Sequence, residues 1–143
     1  MFHHSLEHVL DPVGDLVAAR SLLSEGGRCI VRLPVVDSDA YDEYGVDWSN
    51  LDPPRHVFLP SRAGLATLAS RVGFRIAQQH DDAGTFGWWC SELYRRDVPL
   101  RVDGTEQPAS SFSSEELSAL KHKADELNVR HRGDQVAALL VAS

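Results

Sequence analysis

Apolar residues recur at helical spacing in three stretches of the chain, and each stretch opens on a residue suited to cap a helix. Asp11 can cap the first helix, Ser61 the second, and Ser113 forms a capping box with Glu116 at the start of the third. The predicted apolar faces comprise Val13, Leu16, Val17 and Leu23; Leu65, Leu68, Ala69 and Val72; and Leu117, Leu120, Ala124 and Leu127.

Three other segments have the composition of β-strands. "RCIVRLPVV" is rich in β-branched residues and is interrupted by Pro34, as is typical of a mostly buried strand, and "FRIAQQ" alternates apolar and polar positions. "DQVAALLVAS" is a continuous apolar run after a turn-like segment, which favours a central strand. The first helix, the Gly26-Gly27 turn and a buried strand form half of a βαβ unit. We therefore expect a partly parallel sheet in a single domain over residues 1–143.

Two stretches have no clear period. Residues 37–60 are polar, aromatic and rich in proline, and we predict a long functional loop there. "AGTFGWWCSELYRR" is rich in glycine and aromatic residues. The aromatic residues and cations of these stretches could line a substrate pocket, or they could form a lid over the sheet or a protein contact. The candidates for substrate binding are Tyr41, Tyr44, Trp48, Arg55, His56 and Trp88.

The composition is that of an ordinary soluble protein, 43% hydrophobic and 24% charged. A formal net charge of −7 argues against nucleic acid or an anionic membrane as the main partner, because both attract clustered Lys and Arg. The two cysteines lack metal or redox spacing, and the N-terminus has no secretory signal. We expect a cytoplasmic protein with reduced thiols.

Several segments together resemble the C-terminal half of class I S-adenosylmethionine-dependent methyltransferases. "SLEHVLDP" is similar to the stretch after the family's fourth strand, and "ARSLLSEGGRCIVRLP" to its next helix, Gly-Gly turn and fifth strand. "DPPRHVFLPSRAGLATLASRVGFRI" and the closing "LNVRHRGDQVAALLVA" also resemble family segments. The resemblance implies an α/β fold: a partial Rossmann-like methyltransferase sheet with flanking helices, whose final strand inserts antiparallel between the previous two.

The family binds its cofactor with a glycine-rich loop after the first strand and an acidic residue ending the second. This sequence contains no GxGxG motif, so no cofactor-binding residue can be carried over. The resemblance implies a methyltransferase that uses S-adenosylmethionine on a small molecule, for example a sugar or glycan precursor. We expect this polypeptide to be inactive by itself. The alternative is a non-catalytic interaction module completed by self-association or by a partner chain, because half a sheet leaves an open edge.

The segment "HHSLEH" places possible metal ligands within about one helical turn, and His56 adds another from the long loop. A branch of methyltransferases that includes the small-RNA 2′-O-methyltransferases holds a divalent cation with a Glu-x-x-Glu-His motif and a distant His. By this resemblance, His4, Glu7, His8 and His56 are candidate ligands. His4 replaces the first Glu, which favours Zn²⁺-like ions over Mg²⁺. The alternative interpretation is that Glu7 pairs with Arg55 and that His8 packs at the helix entry.

His3 and His4 are also candidates for a general base. If they follow a strand, they lie at the carboxyl edge of the sheet, where open α/β sheets bind ligands. An imidazole there could take a proton from a nucleophilic hydroxyl. The alternative is that they are exposed terminal histidines without a function.

Overall fold

A four-stranded mixed sheet forms the centre of the computed structural model, which describes residues 1–106 and 111–143. The strands are β1 (Phe2–His3), β2 (Arg28–Pro34), β3 (Phe74–Asp81) and, last in the chain, β6 (Gln135–Ala142), in the order β1-β2-β6-β3. β1 pairs parallel with β2, and β6 pairs antiparallel with both β2 and β3. The predicted fold class and the antiparallel insertion of the final strand are therefore confirmed.

Helices and short 3₁₀ turns connect the strands. The helices are α1 (Pro12–Ser21), α2 (Asp39–Tyr44), α3 (Arg62–Arg71), α4 (Phe86–Arg95) and α5 (Ser114–Val129); the 3₁₀ turns are Leu6–His8, Gly45–Asp47 and Ser49–Leu51; and a small hairpin joins β4 (Arg101–Val102) to β5 (Thr105–Glu106). In the described part of the chain, no helix is both long and apolar enough to cross a bilayer.

The three predicted helix starts are confirmed by side-chain caps. Asp11 accepts from the Gly14 backbone N–H at 2.8 Å, and Ser61 accepts from that of Gly64 at 3.0 Å. Ser113 and Glu116 form the reciprocal capping box. Each cap satisfies a backbone donor of the first turn that has no partner within the helix, so the local sequence fixes these boundaries.

The apolar face predicted for α1 is only partly buried. Leu16 is fully buried, but Val13 and Val17 are 42% and 51% exposed. Leu16, together with the partly buried Leu23 beyond the helix end, joins the main core under the sheet. α1 therefore touches the core along a narrower stripe than its sequence indicates.

The two stretches without a clear period contain helices. The predicted loop over residues 37–60 holds α2 and two 3₁₀ turns, and residues 83–96 hold α4. In α4 the consecutive residues Trp88, Trp89, Cys90 and Ser91 are all buried. Apolar residues nevertheless recur at helical spacing at positions 86, 89, 90, 93 and 94, so the sequence contained the signal for this helix.

Asp134 connects three segments beside the start of β6. Its side chain is buried, and Oδ2 accepts hydrogen bonds from Trp48 Nε1 at 3.2 Å and Asn50 Nδ2 at 2.9 Å. The start of α4 lies so close that a Cβ on Gly87 would meet Oδ2 at 2.4 Å. Burial raises the pKa of Asp134 above its usual range, although the bonds from Trp48 and Asn50 act in the opposite direction.

We predict that Asp134→Asn removes a pH dependence of stability. Because the pKa of Asp134 is raised in the folded state, the folded protein retains a proton that the unfolded chain releases above about pH 4. The free energy of unfolding therefore falls as the pH rises from there to the raised pKa of Asp134. The amide oxygen can keep both hydrogen bonds. The free energy of unfolding of Asp134→Asn relative to wild type should therefore increase from pH 3 to pH 8, as measured by urea titration.

The matched control is Asp125→Asn, because the Asp125 side chain is 60% exposed in a surface pair with Lys121. Exposed pairs of this kind contribute little to stability. The control should show the pH dependence of wild type. An Asp134→Asn curve parallel to wild type over the whole range would contradict the prediction.

Candidate functional site

A cavity of about 470 Å³ opens at the carboxyl edge of the sheet. β1, β2 and β3 run in the same direction, because β1 is parallel to β2 and because β6 is antiparallel to both β2 and β3. Their ends and the start of β6 therefore meet at this edge, and the volume lies within the range of small-molecule sites. The lining residues are His4, Glu7, His8, Arg32, Ser49, Asn50, Asp52, Arg55, His56, Asp82, Gly84, Phe86, Cys90, Tyr94, Leu100 and Gln135.

Glu7, His8 and His56 form a compact cluster in this cavity. One possible ligand atom from each residue lies within 4.8 Å of the other two. Glu7 is buried, His56 half-buried and His8 exposed. The cluster therefore combines one carboxylate and two imidazoles in an arrangement that has the composition of a zinc-type site.

Backbone hydrogen bonds hold the two halves of the cluster together. The Glu7 carbonyl accepts from the N–H groups of Val57 and Phe58 at 2.9 and 3.2 Å. These bonds fix the loop that carries His56 against the 3₁₀ turn that carries Glu7 and His8. Residues distant in sequence thus form one site without depending on their side chains for the contact.

The same two segments orient both imidazoles. His8 Nδ1 lies 2.9 Å from the Arg55 carbonyl oxygen, and His56 Nδ1 lies 2.6 Å from that of Asn50. A carbonyl oxygen can only accept, so Nδ1 of each ring carries a hydrogen, and in the neutral ring Nε2 then has the lone pair. Metal-binding histidines are commonly oriented in this way by a backbone carbonyl.

Glu7 is a fully buried carboxylate with one free oxygen. Oε1 lies 3.3 Å from His4 Nδ1, and Oε2 has no hydrogen-bond partner among the described residues. Burial acts to raise the pKa of Glu7, but the hydrogen bonds from His4 and from the Glu7 backbone, together with the charge that His4 and His56 carry when protonated, outweigh burial, and the net pKa is lowered. Glu7 is therefore an ionised group with a free acceptor at the cavity.

A second polar chain runs from Glu7 across the cavity. His4 Nδ1 faces Glu7, its Nε2 accepts from the Arg32 guanidinium, and Arg32 also donates to Asp82. His3 is exposed, and its Nε2 lies 3.4 Å from Arg32. His4 is thus held between the Glu7 carboxylate and the Arg32 guanidinium. His3 is not among the residues that line the cavity.

The apolar part of the cavity lining comes mainly from α4. Phe86 and Tyr94 are 49% and 40% exposed although both are large rings, and Cys90 and Leu100 also line the cavity. Exposed rings at a cavity mouth offer faces on which a ligand can stack. The lining therefore combines charged groups, suited to hydroxyl groups, with apolar ones.

The candidate site residues divide into two groups. All four predicted metal ligands line the cavity, as do Arg55 and His56 from the predicted substrate set. Arg55 pairs with Asp52 rather than with Glu7, contrary to the simpler interpretation of this motif. The other predicted substrate residues lie elsewhere: Tyr44, Trp48 and Trp88 are buried in a second core, and Tyr41 packs edge-on against Trp48.

Sequence reasoning did not single out Arg32, Asp52, Asp82, Phe86 or Tyr94. Arg32 was hidden inside a predicted strand. Asp82 carried a usable signal, because it follows directly after β3 and the carboxyl ends of parallel strands are where such sheets bind ligands. Phe86 and Tyr94 belong to α4, for which the helical spacing of apolar residues at positions 86, 89, 90, 93 and 94 was a usable signal.

Comparison with known proteins supports the resemblance. The family model described as a methyltransferase domain matches residues 1–79, more than half of the chain. The match covers β1, β2, α1, α3 and most of β3, together with the Glu7–His8–His56 cluster. No curated protein matches the chain. On the family match and the sheet order, this chain belongs to the methyltransferase-domain family.

Proposed function

We propose that this chain takes part in S-adenosylmethionine-dependent methyl transfer and that its cavity binds the methyl acceptor. The observation that carries the proposal is the cavity at the carboxyl edge of a methyltransferase-type sheet, lined by both charged and apolar side chains. The acceptor is a small molecule with a hydroxyl group, such as a sugar or glycan precursor. Its ring would stack on Phe86 or Tyr94 while its hydroxyl faces His4 and Glu7.

The described residues do not form the family's cofactor cradle. The strand-to-helix connections at this edge of the sheet, residues 4–11, 35–38 and 82–85, contain one glycine, Gly84, and a Cβ there would meet nothing within 4 Å. A glycine-rich turn is used where the backbone must approach the cofactor closely. We therefore assign no residue of this chain to S-adenosylmethionine and confine its role to the acceptor.

In this proposal His4 takes the proton of the acceptor hydroxyl. Glu7 faces Nδ1 of the ring and would stabilise the imidazolium that forms, in the manner of a carboxylate that orients a catalytic histidine. Arg32 occupies Nε2 of His4, and its second partner, Asp82, can retain the guanidinium when the hydroxyl replaces it. The hydroxyl oxygen is then free to attack a methyl group held in line with it.

We further propose that Glu7, His8 and His56, three of the four predicted ligands, hold a divalent cation. The free Oε2 of buried Glu7 and the two Nε2 lone pairs support this set. Two imidazoles and a carboxylate suit Zn²⁺ better than Mg²⁺, which prefers oxygen ligands and water. His4 acts through its hydrogen bond to Glu7. A cation bound there would polarise the acceptor hydroxyl and ease the loss of its proton.

A second candidate function rests on the uncovered face of the sheet. Ile30 is 42% exposed, and with Ala137 and Leu139 it lines a shallow, mostly apolar groove. Exposed apolar surface on a sheet favours association with another protein. We propose that the chain can also act as a non-catalytic module that associates with a second copy of itself.

The acceptor role predicts binding of a small hydroxyl compound but not of the cofactor product. Saturation-transfer NMR with methyl α-glucopyranoside should show contacts that Phe86→Ala weakens, because that ring is part of the apolar lining. Calorimetry with S-adenosylhomocysteine should give no saturable heat at about 1 mM. At that concentration, binding with a free energy more favourable than about −4 kcal/mol would be detected. His122→Ala, on the exposed side of α5, is the control.

Micromolar binding of S-adenosylhomocysteine, combined with no contact to the glucoside, would overturn the acceptor role. It would mean that the described cavity holds the cofactor instead.

The metal proposal predicts one Zn²⁺ bound per chain, measured by calorimetry at pH 7.5. Glu7→Gln should weaken binding at least tenfold, because the change removes the anionic ligand while keeping its shape. Affinity should also fall below about pH 6, as the imidazoles take up protons. His3→Ala should bind as wild type does, and equal affinity of Glu7→Gln and wild type would refute this ligand set.

The association proposal predicts that the chain is a dimer in multi-angle light scattering. Ile30→Asp should shift it to monomer, because a carboxylate cannot be buried in an apolar contact without a partner. Leu10→Asp is the control, since Leu10 is 90% exposed and lies outside the sheet. A wild-type monomer at high concentration would contradict self-association.

A further inference from the structure

Asp52 lies next to the cluster of Glu7, His8 and His56, on the same turn as His56. Its carbonyl accepts from the N–H groups of Arg55 and His56 at 2.9 and 3.1 Å, and its side chain lines the cavity. Asp52 Oδ2 is 3.9 Å from His56 Nε2. A carboxylate and an imidazole thus face the same region from one short turn.

The separation of these two atoms is close to that of two ligands on one ion. Zinc–nitrogen and zinc–oxygen bonds are about 2.0–2.1 Å long, so two ligand atoms at a tetrahedral angle lie about 3.3 Å apart. Asp52 Oδ2 therefore has to approach His56 Nε2 by about 0.6 Å. It must also move toward Glu7 and His8, because it is not among the ligand atoms that already lie within 4.8 Å of one another. Rotation about the side-chain bonds of Asp52 is the movement that would bring it there.

The present partner of Asp52 is easily exchanged. Arg55 Nη2 lies 2.8 Å from Oδ1 and 2.7 Å from Oδ2 of Asp52, but the Arg55 side chain is 72% exposed. An ion pair with so exposed a partner contributes little free energy, because water solvates the guanidinium almost as well. Exchange of Arg55 for a dication would therefore cost little.

We infer that Asp52 is the fourth protein ligand of the cation proposed above, completing a site with Glu7, His8 and His56. The inference rests on that proposed metal site and extends it. Two carboxylates balance the two positive charges of the ion, and two imidazoles complete the tetrahedron that Zn²⁺ adopts. Arg55 holds Asp52 aside when no ion is bound and releases it on binding.

The backbone at Asp52 supports a dedicated role for this residue. Asp52 has φ of 36°, in the left-handed region that most side chains avoid. Asp and Asn tolerate this conformation better than other residues except glycine. The turn thus places a carboxylate beside His56 at a position whose backbone conformation few residue types tolerate.

Two variants separate a ligand from a residue that only shapes the turn. Asp52→Asn keeps the backbone preference but loses the charge, whereas Arg55→Met frees the carboxylate and leaves the Arg55 carbonyl bond to His8 in place. Calorimetric titration with Zn²⁺ should show Asp52→Asn weakened at least tenfold and Arg55→Met as tight as wild type or tighter. The visible spectrum of bound Co²⁺ should change in Asp52→Asn alone.

The possible results point to different failures. If wild type binds no Zn²⁺ or Co²⁺, the proposed metal site fails and Asp52 as ligand fails with it. If wild type binds and Asp52→Asn binds equally well, the three-residue site stands and the role of Asp52 is refuted. Equal weakening by Asp52→Asn and Arg55→Met would also refute it, because the pair would then act by shaping the turn.

Discussion

The insertion of β6 between β2 and β3 is the constraint on which the rest of the structure depends. Two parallel strands that are not adjacent acquire a common neighbour, and the backbone groups facing the gap are satisfied by one antiparallel strand. The insertion fixes the carboxyl ends of β2 and β3 at one edge, on either side of the start of β6. The cavity exists because these three termini and the end of β1 meet there, and Asp134 at the start of β6 secures the loop and α4 around it.

Within that edge, main-chain hydrogen bonds build the site and side chains supply its chemistry. The Glu7 carbonyl holds the loop that carries His56, and carbonyl oxygens of that loop set the orientation of both imidazoles. Each ring is thereby left with a free Nε2. Pre-orientation of this kind lowers the entropy lost when a ligand binds, because the rings already point in usable directions.

Two buried carboxylates in this region titrate in opposite directions. Burial acts to raise the pKa of both, but Glu7 lies beside imidazoles that can carry positive charge, and its net pKa is lowered. Asp134 receives hydrogen bonds from neutral groups, namely Trp48, Asn50 and its own backbone, and its pKa stays raised. The neighbouring groups therefore give the two carboxyl groups different roles. Glu7 is an anion available to a ligand, whereas Asp134 connects segments of the structure.

The sequence by itself determined the helix starts at Asp11, Ser61 and Ser113, three of the four strands of the sheet and the family, because caps, periodicity and short motifs are local signals. It also indicated the residues of the metal-type cluster. Only the tertiary structure decided which side chains share the cavity. The aromatics Trp48 and Trp88, which suggested a substrate wall, pack into a core, while Arg32, Phe86 and Tyr94, which were not candidates, line the site. The reason is that a cavity is made where distant segments meet, and the contacts between those segments depend on register and packing, which local sequence does not encode.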